Sequence, residues 1–184
     1  FRSIAVSDPV FVLTPTELVS DSRANPALVD IDGDRDLDAF VGNSAGNTSF
    51  FKNTGTASNP IFEAASINPF GLSNVGFNAS PDFVDIDDDG DLDAFIGNFD
   101  GITLFFRNTG DRNNPIFSAP SANPFGLSDV GSLARPTFID IDGDGDMDYI
   151  LGNWGLNSKF KASEIYPMKM YYGDFDNNGK SETI

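Results

Sequence analysis

An all-β fold of β-propeller blades, each a four-stranded antiparallel sheet, is predicted by three observations. An acidic run that begins at Asp30 recurs at Asp85 and again at Asp140, a period of 55 residues. Each copy lies between short stretches of β-branched and aromatic residues, which favour strands. The 18 Gly and 11 Pro, many of them in Asn-rich turns, speak against long helices.

Taken in order, segment 1–25 reads as the end of a preceding blade, because Asp8, Pro9, Val10 and Phe11 stand where Asn59, Pro60, Ile61 and Phe62 stand one repeat later. Repeat one is 26–80 and repeat two 81–135, and direct alignment of the two finds the same residue at most positions. A divergent third repeat, 136–184, keeps the pattern through Asn153 and then runs into a fourth, degenerate acidic run from Asp174. All are parts of one repeat domain. Within repeat two, 83–86 leads into the acidic loop, 94–98 leads out of it, and 103–107 forms a third strand. The turn signal Asn108, Thr109, Gly110 ends that strand, and 115–117 is expected as a short fourth strand before the connector 123–127. A meander of this size cannot bury both faces alone and must stack on its neighbours. At this period, 184 residues hold about 3.3 blades, fewer than the roughly four to eight that close a propeller. The expectation is therefore a partial propeller or arc completed by further sequence or by other chains. Lacking an initiator Met, the sequence reads as an excerpted or processed piece.

Composition narrows the chemistry. Against 28 acidic residues stand 11 basic ones, a net charge of -17, which excludes electrostatic binding to nucleic acid or anionic lipid. With 40% hydrophobic residues and 18 Phe, the chain has material for a core. The absence of His and Cys excludes Ser-His-Asp and Cys-His catalysis, thiolate or imidazole zinc sites, iron–sulfur clusters and disulfides. No stretch approaches the roughly 18 apolar residues of a membrane-spanning helix, so no membrane insertion is expected. Metal chemistry with hard oxygen ligands survives these filters.

The acidic runs carry that chemistry. Counted from its first residue, loop one places Asp30, Asp32, Asp34 and Asp38 at positions 1, 3, 5 and 9. Loop two places Asp85, Asp87, Asp89 and Asp93 there, and loop three Asp140, Asp142, Asp144 and Asp148. Loop four offers Asp174, Asp176, Asn178 and Glu182. Carboxylates at this density repel one another strongly unless a cation sits among them. Ca²⁺, which takes about six to eight oxygens, including a backbone carbonyl near position 7, fits this pattern. Position 7 is Asp36, Asp91, Asp146 and Lys180, and a Lys is tolerable there only if the backbone carbonyl is the ligand. Three strong sites and a fourth, weaker one are expected. Position 2 (Ile31, Ile86, Ile141, Phe175) and position 8 (Leu37, Leu92, Met147, Ser181) are mostly apolar and are expected to face the core. An EF-hand is excluded, because its position 12 needs a bidentate Glu where Val41, Ile96 and Leu151 stand, and strands rather than helices flank the loops. The alternative of a solvated acidic turn explains poorly four registered copies with ligand-type residues at odd positions.

The pattern Asp-x-Asp-x-Asp-Gly-x-x-Asp between strands, followed by Phe-x-Gly-Asn, resembles the FG-GAP or VCBS repeats of integrin-α-like β-propellers. The resemblance implies a propeller, commonly seven-bladed, with Ca²⁺ in the loop joining the first two strands of each blade. It also implies an extracellular or cell-surface location and a role in adhesion, glycan binding or scaffolding. Partners would be a protein or glycan at the cell surface, and other copies or the remainder of a longer propeller. Arg35 departs from the pattern at position 6, where Gly90, Gly145 and Gly179 stand in the other loops; if that position takes positive φ, loop one binds more weakly.

The Gly-Asn pairs at 42–43, 97–98 and 152–153 are expected to end the second strand, with Gly supplying an unusual φ and Asn bonding nearby backbone. One ring of each Phe pair, at 50–51 and 105–106, should pack between blades. Three function classes follow. The leading one is a non-enzymatic, Ca²⁺-binding extracellular module for adhesion, scaffolding or assembly. A carbohydrate-binding propeller is the alternative, with Phe70, Phe125 and Trp154 as candidate stacking rings. A polysaccharide-acting enzyme is disfavoured, since metal binding already accounts for every dense carboxylate cluster.

Overall fold

The computed structural model describes residues 23–143, 147–153, 172–173 and 182–183. The described residues are all-β, without an α-helix. The first four-stranded antiparallel meander consists of β1 (Asn25–Val29), β2 (Asp38–Gly42), β3 (Thr48–Phe51) and β4 (Ser66–Ile67). The second consists of β5 (Ser80–Val84), β6 (Asp93–Gly97), β7 (Thr103–Phe106) and β8 (Ser121–Ala122). Two further antiparallel pairs follow, β9 (Ala134–Ile139) with β10 (Asp148–Asn153), and β11 (Tyr172–Gly173) with β12 (Glu182–Thr183). Segment 1–22, the divergent stretch around Trp154 and most of the fourth acidic run lie outside the described residues.

The strand expected at 115–117 is displaced: the fourth strand is β8, at Ser121–Ala122. Residues 108–117 instead form a narrow loop closed by isolated bridges between Asn108 and Phe117 and between Asp111 and Asn114. Pro115 has no N–H to give a ladder, and the amide of Phe117 donates to the carbonyl of Phe70 in the preceding unit at 2.7 Å. That bond ties the loop to its neighbour rather than to its own sheet.

Aromatic rings fill the space between units in a repeated ladder. Phe40 stacks on Phe50 (4.7 Å) and on Phe83 of the next unit (4.4 Å), while Phe50 meets Phe70 edge-on at 5.1 Å. The corresponding rings one repeat later are Phe95 with Phe105 (4.8 Å), Phe95 with Phe138 (4.7 Å) and Phe105 with Phe125 (5.2 Å). Phe50 and Phe106 are both buried in the cluster between the first two units, so one ring of each pair does pack there. Phe70 and Phe125, candidate sugar-stacking residues, are the outer rungs of these ladders.

The Gly-Asn pairs hold the units together by a different route from the one expected. Gly42 and Gly97 do not take positive φ. A Cβ on Gly42 would lie 2.1 Å from the carbonyl oxygen of Ala79, and one on Gly97 equally close to that of Ala134. Glycine is needed because the next unit's backbone runs against the strand. The adjacent Asn behaves as expected: Asn43 Oδ1 accepts the amide of Asn47, and Asn98 Oδ1 that of Ile102, each at 3.0 Å. Backbone bonds from Ala79 to the Asn43 carbonyl and from Ala134 to the Asn98 carbonyl complete the junction.

Gly97→Ala is expected to destabilise the fold by about 2–3 kcal/mol, because the methyl meets backbone that cannot move without parting two units. Urea denaturation checks this, and a midpoint equal to the wild type's would refute the close-approach explanation.

Candidate metal centre

Each acidic loop is closed at its base by a strand pair in one register. The residue before position 1 pairs with the residue at position 9: Val29 with Asp38, Val84 with Asp93, Ile139 with Asp148, and Gly173 with Glu182. The loop between is fixed in length, and position 9 is always the first residue of the outgoing strand. Asp174, Asp176, Asn178 and Lys180 of loop four, and Asp144 and Asp146 of loop three, lie outside the described residues.

Inside that frame the carboxylates converge. Oxygens of Asp30, Asp32 and Asp34 lie within 4.8 Å of one another, as do those of Asp85, Asp87 and Asp89, and those of Asp140, Asp142 and Asp148. The curl comes from short side-chain-to-backbone bonds. Asp34 Oδ1 accepts the amide of Asp36 at 3.1 Å, and Asp89 Oδ1 that of Asp91 at 3.2 Å. Asp85 accepts from Asp89 and Gly90, Asp30 accepts from Arg35, and Asp140 accepts from Gly143. Position 6 is left-handed where it is described, with Arg35 at φ 76° and Gly90 at φ 93°. Position 4 is left-handed too: Gly33 at 76°, Asp88 at 58° and Gly143 at 77°. Loops one and two thus each place one non-glycine residue in a region that costs about 1–2 kcal/mol, Arg35 in one and Asp88 in the other.

Position 9 links loop to sheet. Asp38 and Asp93 are both 1% exposed. Asp38 Oδ1 accepts the amide of Asn53 at 2.7 Å and Asp93 Oδ1 that of Asn108 at 2.6 Å. The second oxygen of each is buried without a hydrogen-bond partner, as are Asp30 Oδ1, Asp36 Oδ1 and Asp91 Oδ1. Burial pushes the Asp38 and Asp93 carboxyls up to about 6. Burial, followed by the charges of the neighbouring loop aspartates, also raises Asp36 and Asp91. Buried carboxylate oxygens without partners are costly, and loop one holds three of them and loop two holds two. Hard oxygen donors at this density and spacing fit a divalent cation of the Ca²⁺ class.

Basic residues that the sequence reading passed over also reach the loops. Lys52 Nζ lies 2.5 Å from Asp32 Oδ2, Arg107 pairs with Asp87, and Arg112 from the second unit's loop lies 3.3 Å from Asp30 Oδ2. Lys52 and Arg107 occupy the same repeat position, a signal present in the sequence. The apolar positions depart from expectation. Ile31 is buried, but Leu37, Ile86, Ile141 and Met147 are exposed, while Leu92 packs at the edge of the core. Ile31 shares a cleft with Asn113, Asn114 and Pro115 of the next unit.

The sequence matches the FG-GAP-like repeat at residues 30–96 and again at 85–151, each match beginning on the first aspartate of an acidic loop. The chain belongs to the FG-GAP-like repeat family, whose repeats are generally non-enzymatic. A search of curated proteins finds no match to it.

The buried carboxyls give a pH dependence to the ion-free fold. Asp38 and Asp93 titrate near 6 when folded and near the ordinary 3.8 when unfolded. Between those values the folded state binds more protons, so stability rises as pH falls through 6 and is lower at pH 7. In excess chelator the melting temperature should be higher at pH 5 than at pH 7, and Asp38→Asn with Asp93→Asn should flatten that difference. A lower melt at pH 5 would reverse the conclusion.

Proposed function

We propose that this FG-GAP-like repeat chain is a Ca²⁺-stabilised β-propeller module, non-enzymatic and extracellular, that serves adhesion, scaffolding or assembly at the cell surface. The observation that carries the reading is the convergence of three carboxylates in each of the first three loops. In loops one and two, buried, unpartnered oxygens of Asp38 and Asp93 stand at the loop base. Asp30, Asp32, Asp34 and Asp38 would hold the ion in loop one, Asp85, Asp87, Asp89 and Asp93 in loop two, and Asp140, Asp142, Asp144 and Asp148 in loop three. The carbonyls of Asp36, Asp91 and Asp146 would complete the sets. Loop four, through Asp174, Asp176, Asn178, the Lys180 carbonyl and Glu182, is the weaker fourth site. When bound, the ion supplies positive charge that cancels the repulsion among carboxylates.

The propeller reading is supported by the recurrence of one contact. The ring ladder and the Gly-Asn junction between units one and two reappear between units two and three. A head-to-tail contact of this kind generates a ring where its rotation closes and an open filament where it does not. Further units, from the same polypeptide or other copies, would complete the ring. An extracellular setting is consistent with Ca²⁺ sites of ordinary carboxylate type, which fill where free Ca²⁺ is abundant.

A cleft favours glycan binding as a second reading. It has a volume of about 460 Å³ beside loop one, and its lining includes Phe50, Phe70 and Pro115 together with Lys52, Glu63, Asn113 and Asn114. Amides and carboxylates beside aromatic rings suit a sugar's hydroxyls and its apolar face, and a glycan array tests this directly.

Calorimetric titration of metal-free protein should find at least three Ca²⁺ per chain; zero or one would sink the reading. Each site occupied only in the native state adds about 2.7 kcal/mol when free ion exceeds Kd 100-fold. Chelation should accordingly lower the melting temperature by roughly 10 °C or more.

A further inference from the structure

We infer that Lys52, Arg107 and Arg112 are resident counter-cations of the acidic loops, which a divalent ion must displace from the carboxylates and which thereby set its affinity. The inference rests on the reading of these loops as ion sites and adds what regulates them.

Lys52 and Arg107 each stand one residue beyond the third strand of their unit, after β3 and β7. Each reaches the position-3 aspartate: Lys52 Nζ lies 2.5 Å from Asp32 Oδ2, and Arg107 pairs with Asp87 Oδ2. Arg107 also lies 3.9 Å from Asp89 Oδ2. These are the carboxylates whose oxygens converge within 4.8 Å in loops one and two. A group donating to such an oxygen occupies a lone pair an ion would use and puts positive charge beside the ion's place. Removing it relieves repulsion toward the ion and removes the only ion pair on that carboxylate found among the described residues.

Loop one carries a second counter-cation from another repeat. Arg112 Nη2 lies 3.3 Å from Asp30 Oδ2, and its Nε would be 2.9 Å from a Cβ on Gly33, so its side chain lies against the loop. The loop that presents Arg112 is the one tied to unit one through the Phe117 amide and the Phe70 carbonyl. Positions 1 and 3 of loop one are therefore both paired with cations, from two repeats, whereas loop two is served by Arg107 alone among the described residues. Loop two is accordingly the tighter of the two sites. Filling loop one requires Arg112 to let go of Asp30, so ion binding there is coupled to the contact between repeats.

The test is Ca²⁺ titration of the full chain by calorimetry, paired with melting in excess chelator. Lys52→Gln, Arg107→Gln and Arg112→Gln should each tighten one site about three- to tenfold, leave the number of bound ions unchanged, and lower the ion-free melting temperature. Lys52→Arg keeps the charge and should stay at wild-type affinity. The three side chains are 42%, 55% and 60% exposed, so the substitutions leave the core intact. Equal or weaker Ca²⁺ binding in the Gln variants, at unchanged stoichiometry, would overturn the inference while leaving the ion sites standing. Failure of the wild-type chain to bind any Ca²⁺ would overturn the ion reading and this inference together.

Discussion

The close approach of one repeat's backbone to the next is the constraint on which the rest of the structure depends. A four-stranded meander has two faces and too little material to cover either by itself. Here coverage comes from the neighbouring unit, and the distance between units is set where Gly42 meets Ala79 and Gly97 meets Ala134. At that spacing Phe40 reaches Phe83 and Phe95 reaches Phe138. A side chain at either glycine would part the rings and break the bonds from Ala79 and Ala134 to the preceding turn. Hydrophobic burial drives association, but glycine decides how near the units come.

The acidic loops are joined to this packing through position 9. Asp93 accepts the amide of Asn108, whose side-chain oxygen accepts from Gly110 and Ile116 and so folds the loop that ends in Phe117. Phe117 then donates to Phe70 of the preceding unit. Asp38 and Asn53 repeat the first steps, with Gly55 and Ile61 as the amides. The carboxylate at the loop base is therefore also the first link of a chain of hydrogen bonds running to the inter-repeat contact. Its ionisation and burial cannot be separated from the geometry of the loop it organises.

Much of this was legible in the sequence because the repeat prints each feature more than once. The period, the strands flanking the acidic runs and the convergence of positions 1, 3 and 5 followed from residue type and spacing. The fourth strand was misplaced because Pro115, Ile116 and Phe117 have strand-like composition, while the bond deciding their place is made to another repeat. The role of Gly97 was misread for the same reason, since a lone glycine signals either unusual φ or close approach and only the neighbour distinguishes them. Periodic apolar residues at positions 2 and 8 suggested a two-faced loop, yet among the described residues at those positions only Ile31 is buried, with Leu92 partly so. Whether such a residue is covered depends on what the adjoining unit lays over it.

The departures from strict repetition follow a physical logic of their own. Left-handed backbone is required at positions 4 and 6, and each of the first two loops meets it with one glycine and one strained residue, in opposite order. The backbone path is thus imposed by the convergent carboxylates and the strand pair at the base, and glycine only lowers its cost. Were glycine the cause of the curl, Arg35 and Asp88 would have opened their loops. Instead both loops bring the aspartates at positions 1, 3 and 5 together, their oxygens within 4.8 Å of one another. What differs between the loops is therefore the environment rather than the path: the cations that reach them, and the neighbouring repeat from which Arg112 comes.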